Sequence, residues 1–264
     1  ELRLDNLMVI NPSEGPTSLP GENTREPVFG LPALWIDRDL REEAGLRGVT
    51  VVDCGTIIAT HLTELVKDNI ADMLSYVEVQ KLLNEVHKEA EQLVADIVPS
   101  KISISGVQRI LQNLLSEGVS IRDIPTILEG IAEAVPTTSN TTQITEHVRS
   151  RLARQISAQQ SRDGAIPIVT LSVEWDQAFA ESIVGQGDDR QLAMAPSRLQ
   201  EFIEAVRETF DRVAAAGEIP CILTNPAIRP FVRSIVERVR PSTIVLSQNE
   251  IHTRARVRAV GTVG

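Results

Sequence analysis

The sequence predicts a multi-domain α+β protein, and three observations carry that prediction. A short strand-then-helix unit lies near the front. A run of amphipathic helical stripes fills residues 75–160. Strand and helix patterns then alternate from residue 166 to the end. The chain has 264 residues, 42% of them hydrophobic and 23% charged, enough to bury a core. Aromatics are only 3%, so that core is built from Leu, Ile, Val and Ala.

Residues 1–10 read as a short extended element. Residues 11–27, NPSEGPTSLPGENTREP, read as a surface excursion whose Pro, Gly and Ser favour turns and bury little. Pro32 and Trp35 belong to a tucked apolar stretch, and Asp39 to Gly45 to a short helix ending at the glycine. VTVVD (49–53) is a buried-strand candidate. A helix follows to about Leu74, with Thr56 as its cap and Ile57, Ile58, His61, Leu62, Leu65 and Val66 on one stripe.

Ser75 and Glu78 have the spacing of a capping box, in front of a stripe from Val79 through Leu83, Val86 and Ala90 to Val94. The next helix carries Val107, Ile110, Leu111 and Leu114 and stops at Gly118. Ser120 and Asp123 repeat the capping spacing before Ile124, Ile127, Leu128 and Ile131. PTTSNTT (136–142) is a linker, and a basic helix holds Ile144, Val148, Leu152 and Ile156. Beyond Gly164 the elements are a strand at 166–174, a helix from Pro196 to near Gly217, a strand at 219–224, a helix started by Asn225-Pro226, a strand at 243–247 and an edge strand at 255–263.

The net charge of −10 is unevenly spread: residues 1–140 carry 11 basic and 22 acidic side chains, residues 141–264 carry 15 and 14. An acidic front half disfavours nucleic acid and anionic lipid. Cys54 and Cys221 form no metal or redox spacing and suit a reducing compartment. No apolar run approaches the ~18 residues of a membrane span. The opening Glu1-Leu2-Arg3-Leu4, without an initiator Met, reads as mid-protein, with any anchor in a missing part.

No catalytic pattern emerges. His61, His87, His147 and His252 lack metal spacing, with His61 read as structural or interfacial and His87 and His147 as exposed. There is no nucleophile elbow and no phosphate loop. GQGDDR (185–190) reads as flexible and too acidic to cradle phosphate. The Arg229, Arg233, Arg238 and Arg240 cluster, and the alternating Arg254, Arg256 and Arg258, read as solvated faces or a docking surface for an acidic neighbour. These patterns favour a protein-docking module, with no cofactor and no metal. A hydrolase or transferase with a dispersed site, which would show a deep polar cleft, is the alternative.

REPVFGLPALWI (25–36), VTVVDCGTIIATHLTELV (49–66), VEVQKLLNEV (77–86), GVQRILQNLLSEGVSIRDIPTILEGIAE (106–133) and NPAIRPFVRSIVERVRPSTIVLSQNEI (225–251) closely resemble the cytoplasmic domain of the FlhA (FHIPEP) family of type III export-gate proteins. REPxFGLPAxWI with VVD and IIATHL resembles the flagellar rather than the virulence-injectisome branch. Cys54, where members commonly have Pro, and Leu74-Ser75-Tyr76 depart from the family pattern.

The resemblance implies a membrane-anchored protein whose cytoplasmic part, on the inner face of the bacterial inner membrane, forms a ring, typically of nine. That part takes export chaperones with filament-type substrates and works with FlhB and the export ATPase complex. It implies α/β first and fourth subdomains, an inserted second and a helical third: residues 1–53 as the end of the first plus the second, 54–73 as a return to the first, 74–160 as the third and 161–264 as the fourth. The family's chaperone-docking dimple matches Glu26, Phe29 and Thr60. Leu31, Pro32 and Trp35 are assigned to its wall.

Overall fold

The computed structural model describes residues 3, 5–10, 19–28, 30–86 and 88–264, with 88–90 by backbone alone. Two compact units result, Glu1–Met73 and Leu74–Gly264.

In the first unit, strands β1 (Asn6–Ile10), β2 (Glu22–Arg25), β3 (Pro32–Asp37) and β4 (Thr50–Asp53) form an antiparallel sheet in the order β2-β3-β1-β4. Side chains alternate across a pleated strand. Leu7, Val9, Leu34 and Ile36 therefore share one face, buried with Leu19 and with Ala44 of helix α1 (Arg41–Leu46). Met8 and its register partner Trp35 point to the other.

Several expectations change here. Part of the 11–27 excursion is strand β2, and Leu19 and Glu26 are buried, because pairing with β3 satisfies a polar backbone that the composition alone left as loop. Residues 11–18 lie outside the described residues. Gly45 sits inside α1, and the chain turns instead at Gly48, whose φ of +73° suits glycine. β4 lies at a sheet edge and is only partly covered, so its apolar run is not a buried strand. Helix α2 (Cys54–Met73) is capped by Asp53, whose Oδ1 accepts from the Thr56 N–H at 2.7 Å; Thr56 is inside the helix.

The second unit begins with helices α3 (Tyr76–Glu85), α4 (Lys88–Ile97), α5 (Ile104–Ser116), α6 (Ile124–Ala134), α7 (Thr141–Arg151) and α8 (Ala153–Gln160). Ser75 and Glu78 make the reciprocal capping box. The stripe expected to run unbroken to Val94 is split between α3 and α4, since Val86 leaves helical geometry with ψ 134°. Asp123 alone caps α6, accepting from Thr126 N–H, and Ser120 lies outside that cap. Asn140, within the expected linker, caps α7 through Thr142 and Gln143 N–H.

Strand β5 (Ile166–Leu171) ends sooner than its apolar run suggests. Ser172 caps an additional helix, α9 (Val173–Ser182), and the short hairpin β6 (Ile183–Val184) and β7 (Gln191–Leu192) follows. Helix α10 (Pro196–Ala215), strand β8 (Cys221–Thr224), helix α11 (Arg229–Val239), strand β9 (Val245–Ser247) and strand β10 (Val257–Val263) complete the fold. Asn225 closes a turn on Ala227 N–H, and α11 begins four residues later, with Pro230 in its first turn.

The parallel sheet runs β10-β5-β8-β9. Its two faces bury different helices. Ile166, Ile168, Cys221 and Leu246 pack with Ile110, Leu114, Ile127 and Val148 of the helical run. Val169, Ile222, Val245 and Val263 pack with Phe179, Phe202, Val206 and Val232 from α9, α10 and α11.

The expected basic cluster is not a solvated face throughout. Arg229 is 1% exposed. Its Nη1 meets Glu117 Oε2 at 2.6 Å, its Nε meets Glu146 Oε2 at 2.5 Å, and its Nη2 also binds Glu146. Arg149, equally buried, binds Glu250 (Nε–Oε2 2.9 Å) and lies 3.2 Å from Glu117. Burial pushes the Glu146 carboxyl up against the pull of Arg229. For Glu117, Arg229 and Arg149 together outweigh a large desolvation, and its carboxyl is held low. The 185–190 loop is likewise pinned rather than free. Asp188 accepts from Thr138 Oγ1 at 2.7 Å and Ser139 Oγ at 2.8 Å, and Gln143 Nε2 donates to Gly187 O at 2.8 Å.

Candidate docking site

In the first unit a concavity of about 700 Å³ opens between the Met8–Trp35 face of the sheet and the N-terminal half of α2. Alternation in β1 and β3 delivers Met8, buried, and Trp35, half-buried, to this face. Helical spacing delivers Cys54, Ile57, Ile58, His61, Leu62 and Leu65 from the facing side. Among the described residues of α2 only Cys54 is buried, its Sγ donating to Arg3 O at 2.9 Å. Ile58, Leu62 and Leu65 remain 50%, 59% and 47% exposed, a continuous apolar strip.

Polar groups sit with the apolar lining. Arg3 forms a two-pronged ion pair with Glu22 (2.5 and 3.1 Å) and its guanidinium lies 5.8 Å from the Trp35 ring centroid. That pairing lowers the Glu22 carboxyl below its ordinary range. Arg25, Thr24 and Pro27 complete this side.

The turn joining β2 to β3 is set by Glu26. Its backbone N–H donates to Leu31 O at 2.8 Å, its carbonyl accepts from Gly30 N–H at 2.9 Å, and its Oε1 accepts from Val28 N–H at 2.7 Å. Gly30 has φ +67°, the left-handed geometry the turn requires. Arg25 Nη1 also donates to Gly30 O at 2.9 Å. Glu26 is only 5% exposed, so its side chain shapes the 27–30 loop from within. Phe29 lies outside the described residues. Thr60 is exposed on α2 between Ile57 and His61 but does not line the concavity. Leu31 is half-buried and Pro32 exposed; neither lines it, so Trp35 alone of the expected wall residues does.

Sequence reasoning placed Ile57, Ile58, His61, Leu62 and Leu65 on one stripe but not in a site, and it missed Met8. The signal was the stripe itself, an apolar helix face with few bulky aromatic partners in the surrounding sequence. His61 is half-buried in the lining, and His147, expected to be exposed, is half-buried and bonds Glu133 at 2.9 Å; His87 lies outside the described residues. Among the described residues no group of three His, Cys, Asp or Glu side chains converges to hold a metal ion. No helix among them is long and apolar enough to cross a membrane. The arrangement offers apolar area ringed by a few charges, suited to receiving apolar side chains of another protein.

The sequence profile of the FHIPEP family matches residues 1–256. The chain is 58% identical over 264 residues to flagellar biosynthesis protein FlhA of Caulobacter vibrioides, matching all of this chain and 38% of that protein. It is 34% identical over 259 residues to the FlhA of Escherichia coli, covering 97% of this chain and 37% of that protein. The chain thus spans under two fifths of the length of these relatives. Among solved structures, the Chlamydia pneumoniae CdsV protein superposes with a TM-score of 0.83 at 25% identity, over 97% of this chain and 74% of that one. The nonameric EPEC SctV-C superposes with a TM-score of 0.76 at 23% identity, over 99% and 78%. With most of its length matched by the family profile and its fold shared with these proteins, the chain belongs to the FHIPEP family.

Proposed function

We propose that this chain is the cytoplasmic docking platform of a flagellar type III export gate, receiving export chaperones with their filament-type substrates and ordering their export. The observation that carries the reading is the concavity of the first unit. A half-buried Trp35 and an exposed helical strip face each other there, beside a loop stiffened by Glu26. An aromatic anchor with a polar rim is the usual composition of a binding hot spot. Its 58% identity to a flagellar protein favours the flagellar over the injectisome branch. Glu26, Phe29 and Thr60 then act around one surface: Phe29 inserts, Thr60 contacts from α2, and Glu26 positions the loop rather than touching the partner.

In the same reading residues 1–53 are the end of the first subdomain plus the inserted second, 54–73 the return to the first, 74–160 the third and 161–264 the fourth. Copies of the chain assemble as a ring, as those of the nonameric EPEC SctV-C do. FlhB and the export ATPase complex are its further partners, and a membrane-embedded remainder of the protein anchors it to the inner membrane.

The test is a calorimetric titration of this chain with a flagellar chaperone–filament-protein complex. Phe29→Ala and Leu62→Ala should each weaken binding by roughly 2 kcal/mol, about thirtyfold, with unchanged circular dichroism. Wild-type affinity in the folded Phe29→Ala variant would sink the docking role of this surface.

A further inference from the structure

A second surface, in the Leu74–Gly264 unit, carries the opposite character. A groove of about 570 Å³ runs between the end of α8, the 161–164 turn and the segment 252–256. Arg154, Arg254 and Arg256 line it, all exposed, together with His252. No carboxylate and no Phe, Tyr or Trp is among its lining residues, and His252 is the one ring there. None of the three arginines makes an ion pair among the described residues. Other arginines of the unit do: Arg151 with Glu129, Arg240 with Asp211 and Arg258 with Glu218.

The groove is held in shape from beneath. Buried Ser157 accepts from the His252 N–H at 2.8 Å and donates to Glu250 O at 3.1 Å. His252 Nδ1 in turn accepts from the Arg254 N–H at 3.3 Å. Opposite, the 161–164 turn is closed by paired Arg162–Ala165 backbone bonds at 2.8 and 3.0 Å, with Gly164 at φ +82°. The arginine-bearing segment is therefore pinned to α8 before any partner arrives, which reduces the ordering cost of binding. Apart from the arginines, His252 and Thr253, the lining is small (Ser157, Ala158, Ser161, Gly164 and Ala255), which allows a backbone to approach closely.

We propose that this groove is a docking site for an acidic, extended segment of a partner protein. Unpaired guanidiniums favour carboxylates, which they can grip in two-pronged fashion. In a chain of net charge −10 the groove is a local cationic exception, so it selects by charge against most of the chain's own surface. With no Phe, Tyr or Trp and a single imidazole tied to the Arg254 N–H, the groove lacks the row of stacking platforms that single-stranded nucleic acid uses, so a peptide is the occupant.

The experiment is a fluorescence-anisotropy titration of the whole chain with a labelled octapeptide of alternating Glu and Ser. Matched arms use the Gln–Ser peptide and a labelled single-stranded DNA. The Glu–Ser peptide should bind, weaken as salt shortens the screening length, and lose at least about tenfold in the Arg254→Glu/Arg256→Glu variant. Arg154→Gln, on the other wall, should also weaken it. Arg207→Glu, which makes a like charge change on α10 outside the groove, should leave it unchanged. Thermal unfolding of each variant checks that the fold is retained. The proposal is overturned if the Glu–Ser peptide does not bind, if the double variant binds it like wild type, if the Gln–Ser peptide binds equally well, or if DNA binds more tightly.

Discussion

Replacing Arg229 with Met probes the charge cluster that joins α5, α7 and α11. Arg229 is buried, so the substitution keeps much of the volume and removes one of two guanidiniums shared among Glu117, Glu146 and Glu250. Glu117 keeps Arg149 at 3.2 Å, but Glu146 loses both of its hydrogen bonds from Arg229. Stripping one partner from a buried ion pair costs about 3–5 kcal/mol, because a charge is left desolvated and uncompensated. For a unit of this size that lowers the unfolding midpoint by roughly 6–20 °C. Urea and thermal unfolding at pH 7 measure it, followed by far-ultraviolet circular dichroism.

The pH dependence gives a second reading of the same variant. Without Arg229 the Glu146 carboxyl, already raised by burial in the native protein, rises further. A raised folded value means the ionised form disfavours the fold, and protonation on acidification relieves that penalty. The deficit relative to wild type should therefore shrink between pH 7 and pH 5. The companion Arg229→Met/Glu146→Gln should recover part of it at pH 7. A single variant within about 1 kcal/mol of wild type, or a deficit that is flat with pH, would refute the view that this cluster is held by mutual compensation.

Three further outcomes follow from particular contacts. Asp188→Ala should speed amide exchange in residues 185–190 several-fold, since Thr138 and Ser139 lose their acceptor; those same bonds hold the Asp188 carboxyl low, so in wild type the loop stays docked down to the ordinary aspartate range and releases only as pH falls below about 3.9. Gly21→Ala should destabilise the first unit by about 1–3 kcal/mol in urea titration, because the added Cβ would lie 2.2 Å from Trp35 O, a backbone atom that cannot step aside. Burial pushes the Cys221 thiol up to about 11, so its alkylation by iodoacetamide at pH 8 should be slow in the folded chain and rapid in urea; fast labelling of the native protein would contradict its packing against the helical run.

Elements whose signals are local were legible along the chain. Periodicity marked the stripes of α5, α6 and α7, the Ser75–Glu78 spacing announced its capping box, and extended apolar runs found β5, β8 and β9. Resemblance across long motifs pointed to the family. What remained hidden depended on partners distant in the chain. β2 looked like loop because its justification is pairing with β3, and α9 was lost in an apolar run that gave no sign of where the strand stops. Arg229 read as a surface cation because its neighbours Glu117 and Glu146 lie 112 and 83 residues away. Likewise α2 showed its apolar stripe plainly, but only the folded sheet, setting Met8 and Trp35 opposite it, turned that stripe into one wall of a concavity. A stripe records that a face is apolar; which residues meet it is fixed by long-range packing, which no local pattern encodes.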